Sequence, residues 1–126
     1  MRALVIEDDP ELRRILKMSL EAADIETLTA ADGKRGLALM QDTRFDFVVT
    51  DILMPEVDGL EVVMAVRAGH KDVKIIAISG GGRRQPGFQA LIMADMLGAD
   101  AILIKPFTRS ALLAAVETVV GDGAPG

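Results

Sequence analysis

Five short runs of apolar, largely β-branched residues alternate along the chain with segments in which apolar residues recur every three or four positions. The runs predict buried strands and the spaced segments predict amphipathic helices, which makes five consecutive β/α units. The predicted strands are Ala3 to Ile6, Ile25 to Thr29, Phe45 to Thr50, Val73 to Ser79 and Ala101 to Ile104. Continuously apolar strands that alternate with helices are typical of a parallel sheet covered on both faces through right-handed crossovers.

Capping residues mark the starts of the predicted helices. Asp9, Asp32 and Asp58 precede the first three helices, and Thr108 or Ser110 precedes the last. A fourth helix is expected to end at Gly98, after a glycine-rich stretch. We expect inward-facing apolar residues in the first helix at Leu12, Ile15, Leu16 and Leu20, and in the third helix at Leu60, Val63, Met64 and Val66.

The length of 126 residues predicts one domain, residues 1–121, followed by a disordered tail, residues 122–126, with no output domain. No apolar run approaches the roughly 18 residues of a membrane span, and the start of the chain does not resemble a secretory signal. The sequence therefore predicts a cytoplasmic chain without membrane attachment.

Composition narrows the chemistry that the chain can carry. It has no cysteine, which excludes disulfides, thiolate metal sites and thiol nucleophiles. The net charge is −5, and there is neither a basic stripe nor a cluster of aromatic residues, with four Phe and no Trp or Tyr. Direct nucleic-acid binding is therefore not expected, whereas carboxylate chemistry remains open.

Polar residues follow four of the five predicted strands: Glu7 and Asp8 after the first, Asp51 after the third, Ser79 after the fourth and Lys105 after the fifth. Ligands of open α/β sheets collect beyond the carboxyl ends of the strands. If the strand order is 2-1-3-4-5, the second strand lies at the edge and the other four ends converge on one crevice. Three carboxylates, a hydroxyl and an amine would meet there.

Three neighbouring acids repel one another unless a cation or a positive side chain offsets their charge. Mg²⁺ suits this set because it prefers oxygen ligands and shares them with waters and phosphate oxygens. Asp51 could then act as a nucleophile toward a phosphoryl group, with Lys105 stabilising its oxygens and Ser79 donating a hydrogen bond. Each residue alone also has an ordinary explanation as a cap, turn or surface residue, but the whole set at the correct strand ends is hard to obtain by chance.

These motifs resemble the receiver domain of two-component response regulators, over a stretch from Arg2 to about Val120. The matching residues are Glu7-Asp8, Asp51 with Pro55 and Asp58-Gly59 downstream, Ser79, and Lys105-Pro106-Phe107. The resemblance implies a doubly wound, flavodoxin-like five-stranded parallel sheet of order 2-1-3-4-5 with five helices. It also implies a cis peptide bond at Lys105-Pro106.

The same resemblance assigns roles to the candidate residues. Asp51 becomes the phosphoacceptor, aided by Ser79 and Lys105. Asp8, Asp51 and the Leu53 carbonyl would bind Mg²⁺ directly, and Glu7 would bind it through water. The phosphoryl donor would be a histidine kinase or a histidine phosphotransfer protein, and the signal would pass to an unidentified protein target through a conformational change. The chain would be a stoichiometric phosphoacceptor and not an enzyme.

Two departures from the family pattern concern the output. Ile102 stands three residues before the lysine, where many receivers carry a Tyr or Phe that changes rotamer on activation. The loop after Ser79 is also longer than is common, and we expect phosphorylation to order it through Ser79. We expect this loop, with the fourth helix and fifth strand, to bind the partner, with contacts at Arg83, Arg84 and Phe88.

Two other functions compete with this interpretation. The first is a Mg²⁺-dependent phosphohydrolase with an aspartyl-phosphate intermediate. Such enzymes generally use a second acid, two residues after the nucleophile, to protonate the leaving group, whereas this chain has Leu53 at the corresponding position. A degenerate receiver that only binds a partner is the second, and the complete set of acids, hydroxyl and lysine speaks against it.

Overall fold

The computed structural model describes residues 1–52, 59–80, 92, 94–95 and 97–121. Its five strands are β1 (Arg2–Ile6), β2 (Glu26–Ala30), β3 (Phe47–Asp51), β4 (Lys74–Gly80) and β5 (Ala101–Lys105). All pair in parallel, in the order β2-β1-β3-β4-β5. The predicted doubly wound, flavodoxin-like sheet is therefore confirmed, and each strand lies within two residues of its predicted bounds.

Four helices have bounds within the described residues: α1 (Pro10–Glu21), α2 (Gly33–Asp42), α3 (Gly59–Gly69) and a C-terminal helix (Arg109–Val116) that continues as a π-helical turn, Glu117–Gly121. The fourth of the five predicted helices falls largely outside the described residues. Those of its residues that are described, 92, 94, 95 and 97, have helical backbone. Gly98, its predicted end, has a φ of 116°, a conformation that favours glycine.

Side-chain caps start the helices where the sequence predicts them. Asp9 accepts hydrogen bonds from two backbone amides in the first turn of α1, and Asp32 accepts one from the amide three residues later at 2.8 Å. Thr108 caps the C-terminal helix through its Oγ1, so Ser110 lies inside that helix. Asp58, the predicted cap of α3, is outside the described residues. These caps satisfy amides that have no partner within the helix.

The core consists of two apolar layers, one on each face of the sheet. One layer packs α2 and α3 against the sheet and includes Leu4, Ile6, Val48, Ile52, Val63 and Ile75. The other packs α1 and the C-terminal helix and includes Val5, Leu16, Phe47, Val49, Ile78 and Leu112. Successive residues of a strand face opposite layers, so β1, β3 and β4 are buried on both faces.

Two helical residues that we expected to face inward are exposed. Ile15 is 48% exposed and Met64 is 55% exposed. In α1 the buried stripe runs through Leu16 and Leu20, and Ile15 lies at the rim of a groove beside Pro106. In α3 the stripe begins at Gly59 and includes Val62, Val63 and Val66, which places Met64 outside it. Tertiary packing sets the rotation of each helix against the sheet, and the apolar pattern alone did not predict the exposure of Ile15 and Met64.

Gly36 allows α2 to approach the sheet closely. A Cβ atom at this position would lie 2.3 Å from Cδ1 and 2.7 Å from Cγ1 of Ile6, a fully buried residue of β1. Gly69, the last residue of α3, has no atom within 4 Å of the corresponding position. The two helical glycines therefore differ in the space around them.

We expect Gly36→Ala to lower the free energy of unfolding by about 1–3 kcal/mol relative to Gly69→Ala, because only the first methyl group overpacks the core. Both variants reduce the entropy of the unfolded chain in a similar way, so the comparison isolates the steric cost. Urea denaturation followed by circular dichroism measures both values. Equal stabilities of the two variants would contradict the packing described for α2.

Candidate functional site

The carboxyl ends of four strands bring the predicted site residues together. Glu7 follows β1 directly, Asp51 ends β3, Ser79 lies in β4 and Lys105 ends β5. Asp51 pairs in register with Ile78, so Ser79 is one residue farther along the neighbouring strand. Carboxylate oxygens of Glu7, Asp8 and Asp51 lie within 4.8 Å of one another.

Lys105 connects the acids across the sheet. Its Nζ donates a hydrogen bond to Oδ2 of Asp51 at 2.8 Å and lies 3.5 Å from Oε1 of Glu7. Glu7 is fully buried and Asp51 is 4% exposed, whereas Asp8 is exposed. Buried carboxylates require a compensating positive charge, and within the described residues this lysine supplies it.

The pKa values of Glu7 and Lys105 reflect this crowding. Burial, and then the charge of Asp51, raises the pKa of Glu7 to about 8, although the Asp9 amide and Lys105 oppose the shift. For Lys105, burial alone would lower the pKa, but the hydrogen bond to Asp51 and the charges of Asp51 and Glu7 outweigh it and raise the pKa. Burial and the neighbouring Asp51 therefore favour the protonated form of Glu7, whereas the contacts of Lys105 favour its charged form.

The loop after β1 and the first turns of α1 hold Glu7 in place through one contact each. The Asp9 amide donates to Oε2 of Glu7 at 3.1 Å, and Nη1 of Arg13 donates to the Glu7 carbonyl oxygen at 2.9 Å. No pattern in the sequence distinguishes Arg13 from the other basic residues of the first predicted helix. Its role depends on where α1 crosses the end of β1.

The acidic cluster fits a divalent cation with oxygen ligands. Oε1 of Glu7 is buried and has no hydrogen-bond partner, although it lies within ion-pair distance of Lys105. Two further carboxylates are within reach, one of them exposed to solvent. Mg²⁺ commonly uses one or two carboxylates and retains several waters, which this partly open cluster permits. The Leu53 carbonyl, the other predicted ligand, lies outside the described residues.

The backbone that follows Asp51 is closely packed. Thr50 is fully buried, and its Oγ1 donates to the Asp51 carbonyl oxygen at 3.0 Å. The Gly59 amide donates to the Ile52 carbonyl oxygen at 3.2 Å. Thr50 was missed in the sequence analysis, although a hydroxyl residue at the end of an apolar strand and directly before an acid is a signal that could have identified it.

Two family features near Lys105 can be examined directly. The Lys105-Pro106 peptide bond is cis, which confirms the prediction from the resemblance. Ile102 is 41% exposed on the edge strand β5. Pro55 and Asp58, together with the predicted partner contacts Arg83, Arg84 and Phe88 and the tail at 122–126, lie outside the described residues.

Comparisons with known proteins agree with this geometry. A family model described as response regulator receiver domain matches residues 3–117. The transcriptional regulatory protein PrrA of Mycobacterium leprae is 36% identical over 122 residues, which cover 94% of this chain and 49% of that protein. The chain thus spans about half the length of the curated relatives that it matches.

Two solved structures are similar to nearly the whole chain. The Vibrio cholerae chemotaxis protein CheY4 is 32% identical with a TM-score of 0.82, and the match covers 94% of this chain and 97% of that one. The response regulator TrrA of Thermotoga maritima, solved with Mg²⁺ and BeF, is also 32% identical, with a TM-score of 0.77 and the same coverage.

None of the helices in the described part of the chain has the length and apolar composition of a transmembrane span.

The raised pKa of Glu7 makes stability depend on pH. Between its ordinary value of 4.5 and about 8, the folded chain retains a proton that the unfolded chain releases. Stability from this group therefore falls as pH rises through that window and levels off above it. Glu7→Gln mimics the protonated side chain and should remove this loss.

We measure the free energy of unfolding by urea denaturation in the presence of a metal chelator. The difference between Glu7→Gln and the wild type should grow by a few kcal/mol in favour of Glu7→Gln as the pH rises from 5.5 to 8.5, since one pKa unit corresponds to about 1.4 kcal/mol. Glu11→Gln, on the exposed start of α1, serves as the control and should follow the wild type. A constant difference between wild type and Glu7→Gln at all pH values would contradict the assignment.

Proposed function

The chain belongs to the response regulator receiver family, and from this premise we propose that it is a phosphoacceptor switch that receives a phosphoryl group on Asp51. The contact of Lys105 with Asp51 at 2.8 Å, inside a cluster of three carboxylates, is the observation that carries the proposal. A histidine kinase or a histidine phosphotransfer protein would be the donor. The chain would then signal to a protein target through a change in its surface.

In the proposed reaction, a carboxylate oxygen of Asp51 attacks the phosphorus of the donor. The new bond joins that oxygen to phosphorus, the bond from phosphorus to the donor's nitrogen or oxygen breaks, and the donor keeps the electron pair. Burial at the end of β3 suits Asp51 for this role, because few water molecules compete with the donor. Later attack by water on phosphorus would break its bond to the Asp51 oxygen, which restores the carboxylate and releases inorganic phosphate.

Lys105 and Ser79 would bind the transferred group. The Lys105 ammonium already contacts the carboxylate that would be modified, so a small movement would bring it to a phosphoryl oxygen. Ser79 is 1% exposed and lies in the strand next to Asp51, where its hydroxyl could donate to another oxygen. Both groups would stabilise charge that develops on the phosphoryl oxygens during transfer.

The acids fit Mg²⁺ as the cofactor. Asp8 and Asp51 would bind it directly, the Leu53 carbonyl would complete the protein ligands, and Glu7 would act through water. When bound, Mg²⁺ would neutralise the acids and the phosphoryl oxygens. Burial, the larger cause of the raised pKa of Glu7, would remain, but the contribution from the charge of Asp51 would be offset.

A phosphohydrolase remains the alternative function. Leu53 occupies the position where such enzymes generally use an acid to protonate the leaving group, which favours the stoichiometric switch. The relatives named as transcriptional regulatory proteins are about twice the length of this chain. With a net charge of −5, the chain itself is suited to a protein partner and not to direct contact with nucleic acid.

Incubation with acetyl phosphate and Mg²⁺ should add the mass of one phosphoryl group to the wild type and none to Asp51→Asn. The amide lacks a nucleophilic oxygen of comparable strength, so we expect complete loss. Intact-mass spectrometry followed by peptide mapping measures uptake and site together. Asp42→Asn, at an exposed position of α2, is the control and should react like the wild type. Uptake by Asp51→Asn would exclude Asp51 as the phosphoacceptor.

Asp8→Ala should slow phosphorylation by roughly 100-fold, since changes even in the surroundings of metal ligands cost about 10–100-fold. Asp9→Asn is the matched control, because it removes a neighbouring charge and keeps a good helix cap. Asp9→Asn should be phosphorylated at the wild-type rate, and a chelator should stop the reaction of both proteins. If Asp8→Ala and wild type react equally in the presence and absence of chelator, Asp8 does not bind the metal.

A further inference from the structure

Thr50 is a buried hydroxyl that nothing in the proposed chemistry uses. Alternation along β3 places its side chain on the face that packs against α3, opposite to Val49. A buried hydroxyl is costly unless it makes a hydrogen bond, and here Oγ1 donates to the carbonyl oxygen of the next residue, Asp51. This carbonyl belongs to the peptide group between Asp51 and Ile52.

Gly59 contacts the same peptide group from the start of α3. A Cβ atom on Gly59 would lie 2.2 Å from the Asp51 carbonyl oxygen and 2.3 Å from Cα of Ile52. Both neighbours are backbone atoms, so no side-chain rotation could relieve the clash. Only glycine permits α3 to begin this close to the phosphoacceptor.

A third contact fixes the other edge of the peptide group. The Ile52 amide donates to the Ile78 carbonyl oxygen at 3.0 Å, which extends the ladder between β3 and β4 beyond Asp51. The peptide group is therefore held by a hydroxyl on its oxygen, by a ladder bond on its nitrogen and by close packing against Gly59.

We propose that Thr50 and Gly59 are positioning residues that hold the backbone of Asp51 so that its carboxylate meets Lys105 and an incoming phosphoryl group in a reactive geometry. The inference rests on the proposed function, because it concerns the rate of transfer to Asp51. Neither residue touches the phosphoryl group. Each acts through the peptide group that follows the nucleophile.

The expected size of the effect follows from geometry. Rates of positioned reactions are sensitive to displacement, and an error of about 1 Å costs roughly 100-fold. Loss of one of the restraints that the described residues supply allows a smaller displacement. The net contribution of one hydrogen bond corresponds to roughly three- to tenfold, which is the slowing that we expect for loss of the Thr50 hydroxyl.

Thr50→Val removes the hydroxyl and keeps the shape of the side chain, whereas Thr50→Ser keeps the hydroxyl. With acetyl phosphate and Mg²⁺ in excess, we expect Thr50→Val to be phosphorylated roughly three- to tenfold more slowly than the wild type and Thr50→Ser to recover most of the rate. The amide resonance of Ile52 should shift in Thr50→Val, because that amide shares the peptide group with the Asp51 carbonyl.

Thr27 provides the matched control. It is 2% exposed, and its Oγ1 also donates to a backbone carbonyl oxygen, that of Ile25, at 2.9 Å on the edge strand β2. Thr27→Val should lose similar stability and retain the wild-type rate. The inference would be overturned, and the proposed function left standing, if Thr50→Val were phosphorylated as fast as the wild type or if Thr27→Val were slowed as much as Thr50→Val. A wild type that takes up no phosphoryl group would overturn the proposed function and this inference with it.

Gly59→Ala tests the second restraint against Gly69→Ala, in which the added methyl group meets no atom within 4 Å. We expect Gly59→Ala to slow phosphorylation more than Thr50→Val, and Gly69→Ala to retain the wild-type rate. Rates are compared at temperatures where circular dichroism shows each variant folded. If the rates of folded Gly59→Ala and Gly69→Ala agree, Gly59 has no positioning role; if Gly59→Ala does not fold, the Thr50 variants decide the question.

Discussion

The burial of Glu7 and Asp51 beside Lys105 is the constraint on which the rest of this structure depends. Two carboxylates in so little solvent would repel each other and lose hydration, and neither cost is recovered by the apolar core beneath them. The ammonium group of Lys105 offsets part of this cost by contacting both. The raised pKa of Glu7 favours its neutral form, which offsets another part of the cost.

The sheet makes this arrangement possible because its order brings distant parts of the sequence to one edge. Lys105 is separated from Asp51 by 54 positions in the chain, yet only β4 lies between their strands. Parallel strands all end on the same side, so β1, β3, β4 and β5 each deliver a residue to the crevice, while β2 lies at the edge of the sheet. The two apolar layers hold the strands in register, and the register in turn sets the distances among the charged groups.

The sequence was sufficient for most of the architecture and for the identity of the central residues. Strand ends are recognisable because an apolar run stops abruptly at Glu7, Asp51 or Lys105, and helix starts are recognisable because caps act locally. Contacts that depend on long-range approach were not predictable in this way. The exposure of Ile15 and Met64 reflects how each helix is rotated against the sheet, and the contact between Gly59 and the Asp51 carbonyl depends on where α3 begins. The roles of Leu53, Arg83 and Arg84 stay predictions, because these residues are outside the described part of the chain.

The position of Asp51 on β3 has a consequence for how the chain could fluctuate. This strand is flanked by β1 and β4, is buried along its whole length and contributes to both layers of the core. Amides in such a strand exchange with solvent only when much of the domain opens, so their protection approaches that of global unfolding. The proposed phosphoryl group on Asp51 would thus be attached to a strand that opens only together with much of the domain. Partial unfolding of the peripheral helices would not expose this strand. The lifetime of the phosphoryl group would therefore depend on the hydrolysis chemistry at the crevice and not on local unfolding.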